Sequence, residues 1–178
     1  LDVLGLPLVV KPASGGSALG VSVVREAAAL PQAMVACFAY GDEALIEEHV
    51  DGVEVAVSVV DLGDGPQALP SVEIVTDGAY DFDARYNPGR SEYFVPGRLT
   101  PTQERAAAEL AVLAHRVLGL RHLSRTDMIV DDDGVAWILD INVAPGMTET
   151  SLFPQAAEAS AYGIDELYAA LVRQAAGR

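Results

Sequence analysis

Two apolar segments in residues 125–143, RTDMIVDDDGVAWILDINV, flank an Asp-Asp-Gly turn. A turn this short joins neighbouring antiparallel strands, because parallel strands need a long crossover connection. The same arrangement recurs at 44–62, where a DG step separates ALIEEHV from VEVAVSVVDL. Because the strands join mainly through hairpins and the helices are segregated between them, the sequence predicts an α+β fold with largely antiparallel sheets.

The remaining elements follow from hydrophobic spacing and breaker residues. Short apolar runs predict strands at 6–10, 21–24 and 71–75, and periodicity predicts helices at 31–39, 102–119 and 164–176. In the second helix we expect one buried face, made of Ala106, Leu110, Leu113 and Val117. Residues 77–98 are rich in Asp, Gly, Pro, Tyr and Arg and are interpreted as a long functional loop.

Composition excludes several classes of function. The net charge of -15 argues against a nucleic-acid partner, whose binders carry basic patches. No apolar run approaches the ~20 residues of a membrane span, and no signal peptide is evident, so we expect no membrane partner and a cytoplasmic location. The single cysteine, Cys37, fits a reducing compartment and is interpreted as a buried helix residue.

The hairpin at 125–143 carries the strongest candidate for a metal site. Asp140 and Asn142 are two residues apart on one strand, so they point to one face of the sheet, and Asp127 lies on the paired strand. Three oxygen ligands of this kind suit a hard cation such as Mg²⁺. The alternative, three polar residues on a solvated face, stays open on spacing alone.

A second candidate is the stretch LVVKPASGGSALGVSVV, residues 8–24, which contains Lys11, the only lysine of the chain. Backbone N–H groups of a Gly/Ser loop can cradle phosphates, with an ammonium beside them as a point charge. The loop is not a P-loop, because the lysine precedes the glycines, and Ser17 interrupts the GxGxxG spacing. Read alone, it is either a phosphate-binding loop or a flexible hairpin tip.

A weaker signal is IEEHVDGVE, in which Glu47 and Glu54 flank a strand end and a turn. Backbone groups and a carboxylate placed there could hold an adenine and a ribose, although charged strand ends are usually solvated.

Taken together, VVKPASGGSALGVS, ALIEEHVDGVEVAV, DARY, SRTDMIV and LDINVAPGMTETSLFP resemble the ATP-grasp domain of D-alanine–D-alanine ligases. The motifs match in order and interval from Lys11 to about Leu171. The resemblance implies an ATP-grasp fold with a small lobe at 1–62, which includes the glycine loop, and a large lobe at 63–178. It also implies an ATP-dependent carboxylate–amine ligase that joins two D-alanines through an acyl phosphate for peptidoglycan synthesis.

The resemblance assigns roles to individual residues. ATP would be bound by Lys11, Glu47, Glu48, Val50, Glu54 and Arg85, with Glu47, Glu48 and Val50 at the adenine and Glu54 at the ribose. Two Mg²⁺ ions, with Mn²⁺ as an alternative, would be held by Asp127, Asp140 and Asn142. The catalytic groups would be Ser17, Tyr86, Arg125 and the backbone N–H of Gly146, and the second D-alanine would be held by Ser151 and Leu152.

Three positions depart from the family pattern. Asp140 stands where glutamate is usual, Arg85 where lysine is common, and Ala18 where a second serine is common. A shorter carboxylate would change the spacing of the metals, and a guanidinium would contact phosphate as a planar fork instead of a point charge. For Tyr86, packing within a Tyr-rich loop remains the alternative to catalysis.

The family also has an N-terminal domain that contributes to the active site, and no counterpart precedes Lys11 in this sequence. We therefore expect a fragment with negligible ligase activity by itself, and a homodimer is one assembly to test for the full-length protein. Two alternatives remain: a related ligase with D-serine, D-lactate or another amino acid as second substrate, and a non-catalytic nucleotide-binding remnant.

Overall fold

The structure, a computed structural model, describes residues 3–76 and 89–177. Two compact units are distinguished, one made of 1–50 and 75–92 and the other of 51–74 and 93–178. Among the helices of the described residues, none combines the length and hydropathy needed to cross a bilayer.

The first unit contains a three-stranded antiparallel sheet and one helix. Its strands are β1 (Leu8–Pro12), β2 (Ser22–Val24) and β3 (Ala44–Glu48), with β1 in the centre. A 3₁₀ turn leads into helix α1 (Leu30–Phe38), which has Pro31 in its first turn as predicted. Cys37 is fully buried with Leu8, Val10 and Val24, so its predicted core position is confirmed.

The second unit is organised around a six-stranded sheet in the order β7-β6-β4-β8-β9, with β5 paired to β4 beside this path. The strands are β4 (Val53–Val60), β5 (Gln67–Ala68), β6 (Val72–Thr76), β7 (Ser91–Phe94), β8 (Leu123–Val130) and β9 (Ala136–Asn142). Helices α2 (Pro101–Val117), α3 (Leu152–Glu158) and α4 (Ile164–Ala176) accompany them. The pairings of β4 with β5, β6 and β8, and of β8 with β9, are antiparallel, which confirms the predicted fold class.

The predicted boundary at residue 62 differs from the observed division. Strand β4 pairs with β8 at eight positions, from Val53 opposite Val130 to Val60 opposite Leu123. Because these pairings hold β4 in the larger sheet, the division falls after Val50 and not after residue 62.

The buried face of α2 also differs from the prediction. The helix buries Ala107, Ala111, Ala114 and His115, whereas Leu113 and Val117 are 55% and 75% exposed. Ala107 and Ala111 pack on the valines of β4 and on Met128 and Val130. Small alanine side chains let the helix approach the sheet closely, so they form the contact although they are the less hydrophobic face.

Within the predicted 77–98 loop, residues 77–88 lie outside the described residues, and Ser91–Phe94 form β7. The segment that follows it is anchored to β6: Arg98 donates to Glu73 from Nη2 at 2.6 Å, from Nε at 3.0 Å and from its backbone N–H at 2.8 Å. The side-chain hydrogen bond from Arg98 holds the pKa of Glu73 below its ordinary value. The guanidinium also lies over the Phe94 ring, 3.8 Å from its centroid.

Candidate functional site

Strand β8 of the second unit carries a buried ion pair. Arg125 donates to Asp127 through two parallel bonds, Nε to Oδ1 at 2.6 Å and Nη2 to Oδ2 at 2.8 Å. The two residues are only 7% and 3% exposed. Two buried charges need a partner of this quality to offset their desolvation, and the bidentate fork fixes the plane of both groups.

The β8–β9 register brings the other predicted residues of the hairpin next to this pair. Asp140 lies opposite Asp127, and Asn142 lies opposite Arg125. A β-bulge after Asp127 places Met128 opposite Ile138 and leaves Leu139 as the extra residue. The bulge interrupts the regular two-residue alternation of side chains along the hairpin; Met128 is buried, and Leu139 is only partly covered.

The donor atoms on this hairpin fit a hard cation. Asp127, Asp140 and Asn142 all offer oxygen, and each carboxylate oxygen that accepts from Arg125 retains a second lone pair. The Asn142 amide oxygen accepts from the backbone N–H of Ala144 at 2.9 Å, which orients it. In the described part of the chain no three His, Cys, Asp or Glu side chains converge as a ready metal site, so an ion here would also need oxygens from its ligand.

In the first unit, two residues predicted for different parts of ATP lie in contact. Lys11 on β1 and Glu47 on β3 form an ion pair with an Nζ–Oε2 distance of 2.6 Å. Their side chains are 22% and 36% exposed, so both remain accessible. Glu48 is exposed, and Val50 follows β3. Glu54 belongs to β4 in the second unit and lies opposite Ile129 of β8.

The glycine loop has an unusual backbone. Ser17 and Ala18 both adopt positive φ, at 57° and 56°, which costs free energy for residues with a Cβ. Two observations favour glycine at position 20. Its φ is 74°, and a Cβ there would lie 2.7 Å from the Tyr40 ring. Backbone strain of this kind is concentrated at functional sites, which favours the phosphate-loop interpretation over a plain hairpin tip.

The segment after β9 contains the remaining predicted residues. A Cβ on Gly146 would lie 2.7 Å from Ser151 Oγ, so the hydroxyl packs directly against this glycine. Ser151 is the residue before α3, and Leu152 is only 4% exposed. Arg85 and Tyr86 lie outside the described residues.

Two polar pairs were not anticipated from the sequence. Thr148 Oγ1 lies 2.8 Å from Ser151 Oγ, a contact that the TETS spacing could have indicated. His115 Nδ1 lies 2.8 Å from Ser124 Oγ inside the second unit, and burial lowers the pKa of His115. Nothing in the sequence signals this second pair, because it depends on how α2 packs on β8.

The sequence and the structure of this chain match those of known proteins. The family model described as D-ala D-ala ligase C-terminus matches residues 1–173. The chain belongs to this family. The resemblance seen in the sequence is thereby confirmed, and the ATP-grasp architecture follows from solved members of the family.

Among the family's members, the D-alanine–D-alanine ligase of Gloeobacter violaceus is 41% identical over 169 residues, which are 94% of this chain and 55% of that protein. The crystal structure of the Bacillus anthracis D-alanine–D-alanine ligase complexed with ATP matches with a TM-score of 0.80 and 27% identity, over 99% of this chain and 54% of its own. The VanG D-Ala:D-Ser ligase of Enterococcus faecalis matches with a TM-score of 0.84 and 26% identity, over 97% and 50%. The chain thus spans about half the length of the relatives it matches.

Proposed function

We propose that this chain is the ATP-binding catalytic region of a ligase that joins two D-alanines through an acyl phosphate in peptidoglycan precursor synthesis. The observation that carries the proposal is the register of the β8–β9 hairpin, which groups a buried guanidinium with two carboxylates and an amide oxygen. Membership of the ligase family over residues 1–173 supports the reaction class. The complex of the Bacillus anthracis relative with ATP supports ATP as the nucleotide.

Arg125 is proposed to stabilise the oxyanion of the tetrahedral intermediate. A guanidinium has five N–H donors, and Asp127 accepts two of them in a geometry that holds the group rigid. A cation fixed before the reaction stabilises developing negative charge without reorganisation during the reaction. The backbone N–H of Gly146 is proposed as the second donor, with Ser17 and Tyr86 as the other catalytic groups.

The acidic character of the chain makes counter-charge essential for ATP. Mg²⁺, or Mn²⁺ in its place, would be held by Asp127, Asp140 and Asn142 and would neutralise the phosphates. Lys11 and Arg85 are proposed to contact the phosphates, and Glu47, Glu48, Val50 and Glu54 the adenine and ribose. The Lys11–Glu47 pair supports this, because it presets a phosphate-binding ammonium beside the proposed adenine-binding carboxylate.

Calorimetric titration of the isolated chain tests nucleotide binding. Mg·ATP is expected to bind, and chelation of the divalent ion is expected to weaken binding by at least about tenfold, since polyphosphate would otherwise meet an acidic protein. Lys11→Arg is expected to weaken binding about tenfold, because a longer planar fork does not reproduce the compact ammonium. Arg121→Lys, an exchange at an exposed position outside the proposed site, is the matched control. No binding with or without Mg²⁺ would favour the non-catalytic remnant.

Ligation itself is tested in a full-length ligase that contains this chain. We expect phosphate release that depends on D-alanine, and no detectable dipeptide from the isolated chain, which spans about half of its relatives' length. The structure of the D-Ala:D-Ser ligase of Enterococcus faecalis matches this chain with a TM-score of 0.84, against 0.80 for the Bacillus anthracis ligase, so D-serine and D-lactate belong in the same assay. Faster release with either would assign the second substrate differently and leave the ligase chemistry intact.

A further inference from the structure

Ser151 occupies the cap position of α3 but does not cap the helix. Its backbone is extended, with φ -77° and ψ 152°, yet its side chain accepts no bond from the first turn. A serine here normally accepts from the N–H of the second or third helical residue. The third residue is Pro154, which has no N–H, so half of the usual donors are missing.

The Ser151 hydroxyl is instead held from two sides. Thr148 Oγ1 lies 2.8 Å from Ser151 Oγ, and the Ser151 backbone N–H donates to the Thr148 carbonyl oxygen at 2.8 Å. On the other side, Gly146 leaves room only for a hydrogen, because a Cβ there would come within 2.7 Å of the same Oγ. The hydroxyl therefore has one defined location between Gly146 and Thr148.

From this arrangement we propose that Thr148 is a positioning residue, which directs the Ser151 hydroxyl towards the carboxylate of the second amino acid. The inference rests on the proposed function, in which Ser151 holds that carboxylate. A carboxylate only accepts hydrogen bonds, so Ser151 must donate its single proton to the substrate. Ser151 can then only accept from Thr148, and the threonine hydroxyl must be the donor.

The exposed position of Thr148 argues against a purely structural role. Thr148 lies at the surface, and a hydroxyl pair in contact with water contributes little to the free energy of unfolding. The pair instead fixes the orientation of the Ser151 O–H bond, because it favours one of the rotations that are possible about the Cβ–Oγ bond.

The test uses a full-length ligase containing this chain and the variants Thr148→Val, Thr148→Ser, Ser151→Ala and the Thr148→Val/Ser151→Ala double variant. Thr148→Val is expected to raise KM for the second amino acid about tenfold with little change in kcat. Thr148→Ser keeps the donor and is expected to retain the parent KM. In the Ser151→Ala background, Thr148→Val should have no further effect, because its partner is gone.

Thr150→Val is the matched control, since it makes the same exchange two residues away at an exposed threonine. It is expected to keep the parent KM, and melting curves of all variants separate misfolding from mispositioning. If the parent is active and Thr148→Val leaves its KM unchanged, this inference alone is overturned. The same holds if the effects of the two substitutions on KM multiply in the double variant. A full-length parent without ligase activity would overturn the proposed function and this inference with it.

Discussion

At the scale of single residues, the Arg125–Asp127 pair is a buried ion pair within the larger sheet. Both groups are buried, and each satisfies the other through two short bonds. A buried pair of this kind stabilises little by itself, since desolvation offsets most of its attraction. Its consequence is instead a guanidinium whose orientation is fixed before any ligand arrives.

Removing one member of this pair should lower the free energy of unfolding far more than replacing both members. Arg125→Ala is expected to lower the free energy of unfolding by about 3–5 kcal/mol, because the Asp127 carboxylate stays buried without its partner. The Arg125→Met/Asp127→Leu double variant should recover most of that loss. Urea denaturation of the parent and the two variants measures both changes in the free energy of unfolding. Equal losses in the single and double variants would show that the pair itself is a major source of stability.

His115 gives a second prediction, for the dependence of stability on pH. The imidazole is buried with Nδ1 2.8 Å from Ser124 Oγ, and burial lowers its pKa below the ordinary value of 6.5, while the Asp61 charge acts in the opposite direction. The unfolded chain therefore takes up a proton at a higher pH than the folded chain does. The contribution of neutral His115 to the free energy of unfolding is therefore fully present above pH 6.5. It decreases as the pH falls from there through the pKa of His115 in the folded chain.

Melting temperatures measured between neutral pH and pH 5 test the direction of this pH dependence. The parent should lose stability over that interval, and His115→Asn, which cannot titrate, should lose less. Parallel curves for parent and variant would assign the acid sensitivity to other groups.

At the scale of elements, the start of β4 depends on close backbone approach to β8. A Cβ at Gly52 would overlap the Val130 carbonyl oxygen and lie 2.7 Å from Ile129 Cγ2. The carbonyl belongs to a paired strand and cannot withdraw without disturbing the pairing of Val53 with Val130.

Gly52→Ala is accordingly expected to destabilise the fold by about 1–3 kcal/mol. Gly41→Ala provides the comparison, because its added Cβ would first meet Pro12 at an ordinary 3.8 Å. Chemical denaturation of both variants gives the difference. Equal stability of the two would mean that β4 can shift away from β8 at no cost.

At the scale of the whole molecule, the net charge of -15 is the main collective property. Unscreened repulsion among the acidic side chains opposes the compact state. Raising the ionic strength to about 0.15 M shortens the screening length to ~8 Å and should raise the melting temperature. Sodium and potassium chloride should act equally, because screening depends on ionic strength. A lower melting temperature in salt would indicate that attractive ion pairs outweigh the repulsion.

Elements with a strong local pattern were predictable from the sequence. The 125–143 hairpin and the helix at 164–176 were both expected, and the structure contains them as β8–β9 and α4. The grouping of Asp127 with Asp140 followed in the same way, because strand alternation and a short turn leave little freedom of register. The roles assigned to these residues in catalysis and metal binding remain predictions.

Features that depend on distant partners were not predictable. The buried face of α2 was wrongly predicted because hydrophobic spacing favoured Leu113 and Val117, while the sheet below accepts only the small Ala107 and Ala111. Strands β5 and β7 are too short to show a hydrophobic alternation in the sequence. Strand β4 belongs to the larger sheet because β8, which is distant in the sequence, pairs with it.

The sequence by itself determined the family, the antiparallel hairpins and the set of candidate oxygen and cationic groups, since these depend on neighbours in the chain. Only the tertiary structure decided that Lys11 meets Glu47, that Arg125 is paired with Asp127 and that the hydroxyls of Thr148 and Ser151 are in contact. Each of those contacts depends on the angle and rotamer of a side chain within its packed surroundings. Spacing along the chain does not encode such angles, because packing sets them.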